Sequence, residues 1–319
     1  MKVCKLAYTL ILVLNVLASV VTAQDKTLRI AFSVPGFNTS IFRVMESGIL
    51  STAKDLGNIE IISLDGQDDA VTQLSAVRDA MSEGIEGVVI VSPMARDLGS
   101  LLEDLAKAEI PVILVDSSID TDMILSHISA DDYAGGEQAA NFIAERLDGR
   151  GSVIELLGTP EMPEGIERSK GFNDALKAYP DIEVIARQSA NFNAADGLMV
   201  TEELLSALGS TPETPSFDAI FAANDDMILG AIETLYYWEL DPAKFTLVGF
   251  GASRSALGAI KEGSLSATID PYPNRQASLA LRQLTAFIRE GVVPEKESLL
   301  TPVAIDKDNL GAASLVIGQ

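Results

Sequence analysis

Short runs of apolar and β-branched residues alternate along the chain with longer segments in which apolar residues recur every three or four positions. The runs predict β-strands, and the periodic segments predict amphipathic helices. In 41–56, for example, Ile41, Met45, Ile49 and Ala53 mark one helical face. Predicted strands in the first part of the chain are 28–34, 59–64, 87–92 and 112–116, and predicted helices are 41–56, 70–82 and 98–108.

The same alternation restarts after Asp131. Predicted strands there are 152–157, 182–188, 219–223 and 246–250, and predicted helices are 133–147, 165–178, 194–208, 226–238 and 274–290. Strands that are apolar on both faces, each followed by a helix, are typical of a parallel sheet that helices cover on both sides. The pattern therefore predicts an α/β fold with two doubly wound parallel-sheet units in series.

Residues 1–23 have the three-part layout of a secretory signal peptide. Two lysines and no acid precede a mostly apolar stretch, 6–21, which is shorter than the roughly 20 residues that a membrane-spanning helix needs. Val21 and Ala23 are small residues at the −3 and −1 positions of a cleavage site before Gln24. We expect cleavage after Ala23 and a mature protein in the periplasm.

Composition excludes several classes of function. Acidic residues outnumber basic ones 46 to 23, a net charge of −23, which disfavours nucleic acid and anionic membrane surfaces as partners. The chain has one Cys and one His, so most nucleophile–base pairs and metal-ligand clusters cannot form. We expect a protein that is not an enzyme and has no cofactor, metal or catalytic group.

Polar candidates for a ligand site lie where predicted strands end, which is where α/β sheets bind ligands. Asp116 ends one strand and could accept hydrogen bonds from two hydroxyls, or cap a helix, or contact a hinge. Arg168 offers several donors in one plane, or forms a surface ion pair with Glu164 or Glu167. Asn224 follows a third strand and could bind a ligand or serve as a helix N-cap.

Two aromatic residues are further candidates. Phe42 lies near the start of a predicted helix, and Phe192 follows a predicted strand. Either ring could present a face to the apolar side of a sugar, and either could instead pack in a core, the commoner fate of Phe.

Six motifs occur in an order and spacing that resemble one family along nearly the whole chain. They are Gly-Val-Val-Ile-Val-Ser-Pro at 87–93, Ile-Pro-Val-Ile-Leu-Val-Asp at 110–116, Ser-His-Ile through Asp at 126–131, Glu-Arg-Ser-Lys-Gly-Phe at 167–172, Phe-Ala-Ala-Asn-Asp-Asp-Met at 221–227 and Val-Gly-Phe at 248–250. The family is that of the ribose-binding-like periplasmic sugar-binding proteins, with the type I periplasmic binding protein fold. The resemblance implies two α/β lobes, joined by three hinge crossings, that close on a ligand.

The resemblance also implies roles for the candidate residues. Phe42 and Phe192 would stack on the two faces of a sugar. Asp116 would bind hydroxyls from the first lobe, and Arg168 and Asn224 would bind hydroxyls and the ring oxygen from the second.

Five further positions fall in the family's site, and most depart from the ribose binder. Thr39 stands where the ribose binder has Asn, with Asn38 beside it. Ser117 replaces an Arg, Gly251 replaces an Asp, and Pro271 replaces a Gln. Because polar groups are lost at Gly251 and Pro271, we expect a ligand with fewer hydroxyls, or an apolar group, on that side.

By this resemblance the first lobe comprises 24–130 and 272–304, and the second comprises 131–271 and 305–319. The family topology and local Gly, Ala and Pro content place hinges near 130–131, 251–252 and 271–272.

The function implied is a monomeric periplasmic solute-binding protein. It would capture a small neutral polyhydroxy ligand, such as a monosaccharide or a polyol, in an interlobe cleft and deliver it to the permease of an ABC importer. The alternative is a periplasmic sensing subunit that presents a sugar or furanose signal to a membrane histidine kinase or chemoreceptor. A repressor core is disfavoured because a signal peptide stands where a basic helix-turn-helix would be needed.

Overall fold

The computed structural model describes residues 27–92, 98–116, 119 and 121–317. The predicted signal peptide at 1–23, its cleavage site and the candidate ligand residue Ser117 lie outside the described residues. None of the helices in the described ranges is both long enough and apolar enough to cross a membrane.

The first sheet is built on an alternation of strands and helices followed by two strands. Its elements are β1 (Leu28–Val34), α1 (Ser40–Leu56), β2 (Ile59–Asp65), α2 (Ala70–Ser82), β3 (Gly87–Ser92), α3 (Gly99–Lys107), β4 (Val112–Asp116) and β5 (Ser126–Ala130). A later strand, β11 (Glu297–Leu300), pairs in parallel with β5 and forms the edge. The strand order is β11-β5-β4-β3-β1-β2. After β1 the chain places β2 on one side of it and β3 on the other, and it continues outward from β3.

Helical periodicity explains the core beside this sheet. Val77 of α2 and Leu101 and Leu105 of α3 are fully buried against Ile90 and Leu114 of the strands. Asp69 caps α2 by accepting a hydrogen bond from the amide of Thr72 at 2.7 Å.

The second sheet repeats the plan. Its elements are α4 (Asp132–Arg146), β6 (Arg150–Leu157), α5 (Pro163–Leu176), β7 (Asp181–Ser189), α6 (Ala194–Ala207), β8 (Ala219–Ala222), α7 (Asp225–Tyr237), β9 (Thr246–Phe250), α8 (Arg254–Glu262), β10 (Ala267–Asp270) and β12 (Val303–Asp306). The strand order is β12-β10-β9-β8-β6-β7. Two further helices are α9 (Pro273–Glu290) and α10 (Ser314–Ile317).

Neighbouring residues of the second sheet's strands pack on opposite faces. Ile220 of β8 belongs to the core with α6, α7 and α8, whereas Phe221 belongs to the core with α4 and α5. Phe221 stacks on Phe172 of α5 with ring centroids 4.5 Å apart. Side chains alternate along a strand, so a strand covered on both sides must be apolar at every position, and this explains the continuous apolar runs of the sequence.

The predicted fold class is confirmed, with one correction. All the strands predicted from the sequence are present, but β12 pairs antiparallel with β10, so the second sheet is not wholly parallel. Strands β10, β11 and β12 were not predicted from the sequence, because polar residues such as Thr268, Asp270 and Glu297 interrupt their short apolar runs.

The chain passes between the two sheets three times. The passages lie between β5 and α4, between β10 and α9, and between β11 and β12. The predicted hinge at 251–252 is therefore wrong, because these residues follow β9 and lead through α8 to β10 of the same sheet. Contacts divide the chain into two compact units, with β1–β4 in one and β5–β12 in the other. The lobe boundaries drawn from the resemblance stay predictions.

Candidate functional site

The carboxyl end of the first sheet carries four of the predicted ligand residues. Asp116 ends β4 with an exposed side chain and a backbone φ of 80°, the left-handed region that a residue with a side chain rarely adopts. Asn38 and Thr39 are exposed in the turn before α1. The carbonyl oxygen of Thr39 accepts a hydrogen bond from the amide of Phe42, whose side chain is half-buried.

Arg168 is the most constrained of the predicted residues, and its side chain is 15% exposed. Its Nε donates to Oδ1 of Asp132 at 2.8 Å, and its Nη1 donates to the carbonyl oxygen of Ala223 at 2.9 Å. The guanidinium carbon lies 3.8 Å from the centre of the Phe250 ring and 5.8 Å from that of Phe192. These contacts hold the guanidinium at the carboxyl ends of β8 and β9.

The ion-pair alternatives for Arg168 are wrong. Its carboxylate partner is Asp132, and Glu167 instead lies 3.9 Å from Lys170. Asp132 is the first residue of α4, 36 positions before Arg168. No motif in the sequence pointed to this acid.

Backbone contact between α4 and α5 fixes the distance between Asp132 and Arg168. A Cβ atom on Gly136 would lie 2.0 Å from the carbonyl oxygen of Arg168, and one on Gly171 would lie 1.9 Å from that of Tyr133. Only glycine permits such an approach at these two positions.

Phe192 combines a strained backbone with a packed ring. Its φ is 59°, and a Cβ on Gly158 would lie 2.1 Å from its Cζ. The ring is half-buried against the core of the second unit, so the core-packing alternative is confirmed in part. One face of the same ring is turned to Arg168.

Asn224 caps α7, as the N-cap alternative predicted. Its Oδ1 accepts from the amide of Met227 at 2.9 Å, and its Nδ2 donates to the carbonyl oxygen of Phe192 at 2.8 Å. The structure therefore brings Arg168, Phe192 and Asn224 together at one edge of the second sheet. We call these three residues, with Asp132 and Phe250, the arginine cluster.

Gly251 and Pro271 lie on the neighbouring strand ends. Gly251 has a φ of 132° and donates its amide proton to the carbonyl oxygen of Ile269 at 2.8 Å. A Cβ there would lie 3.3 Å from Oδ2 of Asp225, so a side chain at this position would be strained and close to a carboxylate. Pro271 is buried, and its carbonyl oxygen accepts from Nε2 of Gln276 at 2.8 Å.

Asp225 and Asp132 are two of the carboxyls near these strand ends whose pKa values are raised. Burial raises the pKa of Asp225 to about 6, although hydrogen bonds from Thr268 and Ser253 oppose the shift. Burial also raises the pKa of Asp132, and the positive charge and hydrogen bond of Arg168 act against that shift. Neither acid was predicted from the sequence; the run Asn-Asp-Asp at 224–226 was the available signal for Asp225.

A groove of about 470 Å³ opens on the second unit. Gly158 and Gly165, both of which face the Phe192 ring, line it together with α5 residues such as Ile166 and Lys170. Among the predicted ligand residues that the structure describes, none lines this groove.

The arginine cluster is suited to binding an uncharged polar molecule. It offers a guanidinium whose charge is balanced, the partly exposed ring of Phe192 and an amide, and all of these groups are held in place by hydrogen bonds or packing, the guanidinium on the buried ring of Phe250. Within the part of the chain that the structure describes, no three His, Cys, Asp or Glu side chains are grouped to hold a metal ion.

Known proteins resemble the chain along most of its length. Residues 30–291 match the family model described as a periplasmic binding protein domain. The ribose import binding protein of Bacillus subtilis is 32% identical over 259 residues, which cover 81% of each chain.

Two solved structures are also similar. The Caulobacter myo-inositol binding protein, bound to myo-inositol, is 29% identical with a TM-score of 0.72, over 92% of this chain and 98% of that one. An ABC transporter periplasmic solute binding protein from Actinobacillus succinogenes, with bound D-allose, is 25% identical with a TM-score of 0.76, over 89% and 99%.

Proposed function

Because the chain belongs to the periplasmic binding protein domain family, whose members here are sugar- and polyol-binding proteins of ABC transporters, we propose that it captures a small neutral polyhydroxy compound in the periplasm and delivers it to an ABC importer. The relatives are binding proteins rather than enzymes. The observation that carries the proposal is the arginine cluster, in which a guanidinium, an amide and two rings meet at the carboxyl end of the second sheet.

The chemistry of the cluster fits such a ligand. Sugars and polyols offer hydroxyl oxygens that accept hydrogen bonds, and sugar rings have an apolar face that packs on aromatic rings. Arg168 and Phe192 supply these two kinds of contact side by side. Asp116, at the end of β4 in the first sheet, has an exposed carboxylate, a group that can accept from hydroxyls.

Binding is tested first, with the purified chain from residue 24. Thermal unfolding is measured with D-ribose, D-allose, myo-inositol and xylitol, followed by calorimetry on any compound that stabilises the protein. A ligand at 100 times its Kd adds about 2.7 kcal/mol to the free energy of unfolding. If a cooperatively folded protein is stabilised by none of a broad panel of neutral sugars and polyols, the proposed ligand class is wrong.

Delivery and location need cellular measurements. Deleting the gene should abolish uptake of the ligand, and an intact copy should restore it. Mass spectrometry of a periplasmic extract should find the chain beginning at Gln24. For the purified protein, light scattering should give the mass of a monomer. Uptake that persists after deletion would contradict the transport role and favour the sensing alternative.

A further inference from the structure

Asp132 and Arg168 form an ion pair inside the arginine cluster. The Nε–Oδ1 distance is 2.8 Å, and the side chains of Arg168 and Asp132 are only 15% and 21% exposed, respectively. At this depth a lone guanidinium would be costly, because burial in a medium of low dielectric penalises an uncompensated charge. The carboxylate of Asp132 therefore supplies the counter-charge that an unpaired Arg168 would draw from a ligand.

The ion pair balances the charge of Arg168 and leaves some of its N–H groups available as hydrogen-bond donors. Nε and Nη1 have protein acceptors, whereas Nη2 has none among the described residues. The Phe250 ring covers one face of the guanidinium. Two further acids, Glu164 and Asp131, lie near enough to Asp132 to raise its pKa. Arg168 is thus accompanied by its partner Asp132 and by two acids near that partner.

The negative charge beside Arg168 would disfavour an anionic ligand, whereas a neutral ligand carries no charge for it to repel. A carboxylate or phosphate beside Nη2 would have to compete with Asp132 for the guanidinium, and the negative charge of Asp132 would oppose it. A hydroxyl or ring oxygen accepts a hydrogen bond from Nη2 and brings no charge to be compensated. Discrimination against a wrong ligand by like charge is a common device of specific sites.

We propose that Asp132 is a specificity-determining residue, which balances the charge of Arg168 so that the site selects neutral polyhydroxy compounds and rejects their acidic counterparts. The proposal rests on the proposed function, and it names a residue outside the set of expected ligand contacts. Asp132 acts through Arg168 and is a positioning residue in that sense.

The test compares each neutral compound with a charged form of the same compound. The pairs are D-galactose with D-galacturonate, D-ribose with D-ribose 5-phosphate, and myo-inositol with myo-inositol 1-phosphate. Calorimetry measures both members of each pair on the wild-type protein, Asp132→Asn and the control Glu167→Gln. The control removes one negative charge from the exposed side of α5 and leaves the Arg168 ion pair intact.

Asp132→Asn should shift the affinity ratio toward the charged member of a pair by about tenfold or more, the size of one lost charge-assisted interaction. Glu167→Gln should leave the ratio within about twofold. An unchanged ratio in Asp132→Asn would overturn the proposal. If Asp132→Asn does not unfold cooperatively, Asp132→Ser, which leaves room for water beside the guanidinium, is measured in its place.

The experiment separates this inference from the proposed function. If the wild-type protein binds no member of the three pairs, no further sugar or polyol stabilises it, and Asp132→Asn gains affinity for a charged member, the proposed function fails and the role of Asp132 stands. If the wild-type protein binds neutral compounds and the variant has the same preference, the proposed function stands and the role of Asp132 fails.

Discussion

The carboxylate of Asp225 accepts a hydrogen bond from the hydroxyl of Thr268 at 2.6 Å in the interior of the second unit. Its other oxygen accepts from the amide of Ser253 at 2.7 Å. One acid therefore joins the start of α7, the turn after β9 and the strand β10. Asn224, a residue of the arginine cluster, is its neighbour in the chain, so the geometry of the cluster depends on this buried group.

The raised pKa of Asp225 predicts a specific pH dependence of stability. The folded protein holds this proton up to about pH 6, whereas the unfolded chain releases it near the ordinary value of 3.8. Between these values the native state binds more protons, so the contribution of Asp225 to the free energy of unfolding falls as the pH rises. Above pH 6 this contribution is lower, by up to about 3 kcal/mol, than it is below pH 3.8.

Denaturant unfolding of the wild-type protein and of Asp225→Asn, at pH values from 4 to 7, checks this. The free energy of unfolding of the wild-type protein minus that of the variant should become less positive as the pH rises. A difference that is flat with pH, or that grows, would show that Asp225 titrates near its ordinary pKa in the folded state.

Arg168→Ala should weaken ligand binding by about ten- to a hundredfold, because a hydrogen bond from a charged group contributes roughly 1.5–3 kcal/mol. Arg168→Lys should recover little of this affinity. A single ammonium group cannot reach Asp132 and the Ala223 carbonyl while a flat face stacks on Phe250. Calorimetry with the ligand found in the screen measures both variants, and affinity equal to that of the wild type in Arg168→Ala would remove Arg168 from the site.

Gly158→Ala should displace the Phe192 ring, because the new Cβ would lie 2.1 Å from Cζ. We expect a loss of roughly 1–3 kcal/mol of stability, typical of overpacking, together with weaker ligand binding. Gly258→Ala in α8 is the matched control, since a Cβ there meets no atom within 4 Å. Thermal unfolding and calorimetry on the two variants check the prediction, and equal behaviour would mean that the ring can move aside freely.

Asn224→Asp separates the two roles of that side chain. An aspartate keeps an oxygen that can cap the amide of Met227, but it cannot donate to the carbonyl of Phe192. We expect helix α7 to be retained and ligand affinity to fall about tenfold, since a carboxylate would face a carbonyl oxygen at this point. Circular dichroism and calorimetry measure the two effects, and Asn224→Ala, which removes the cap as well, should destabilise helix α7 more than Asn224→Asp does.

The arrangement of the elements could be read from the sequence because the signals are local. Continuous apolar runs indicate strands buried on both faces, as Ile220 and Phe221 show for β8, and periods of three or four residues indicate the buried face of a helix. The N-cap role of Asn224 was equally readable, since it depends on an amide three residues away. The antiparallel strand β12 was not, because Pro302 and Asp306 limit its apolar run to 303–305 and its partner lies 33 or more positions earlier in the chain.

The sequence by itself determined the α/β class, most of the strands and helices, the strand ends at which Asp116, Phe192 and Asn224 lie and the helix that carries Arg168. Only the tertiary structure decided that Arg168 pairs with Asp132 rather than with Glu164 or Glu167, and that its guanidinium lies on the Phe250 ring. The two charged residues are on different helices, brought together where Gly136 and Gly171 let α4 and α5 meet backbone to backbone. A pattern along one segment records which of its faces is buried, but it does not record which residue of another segment lies opposite.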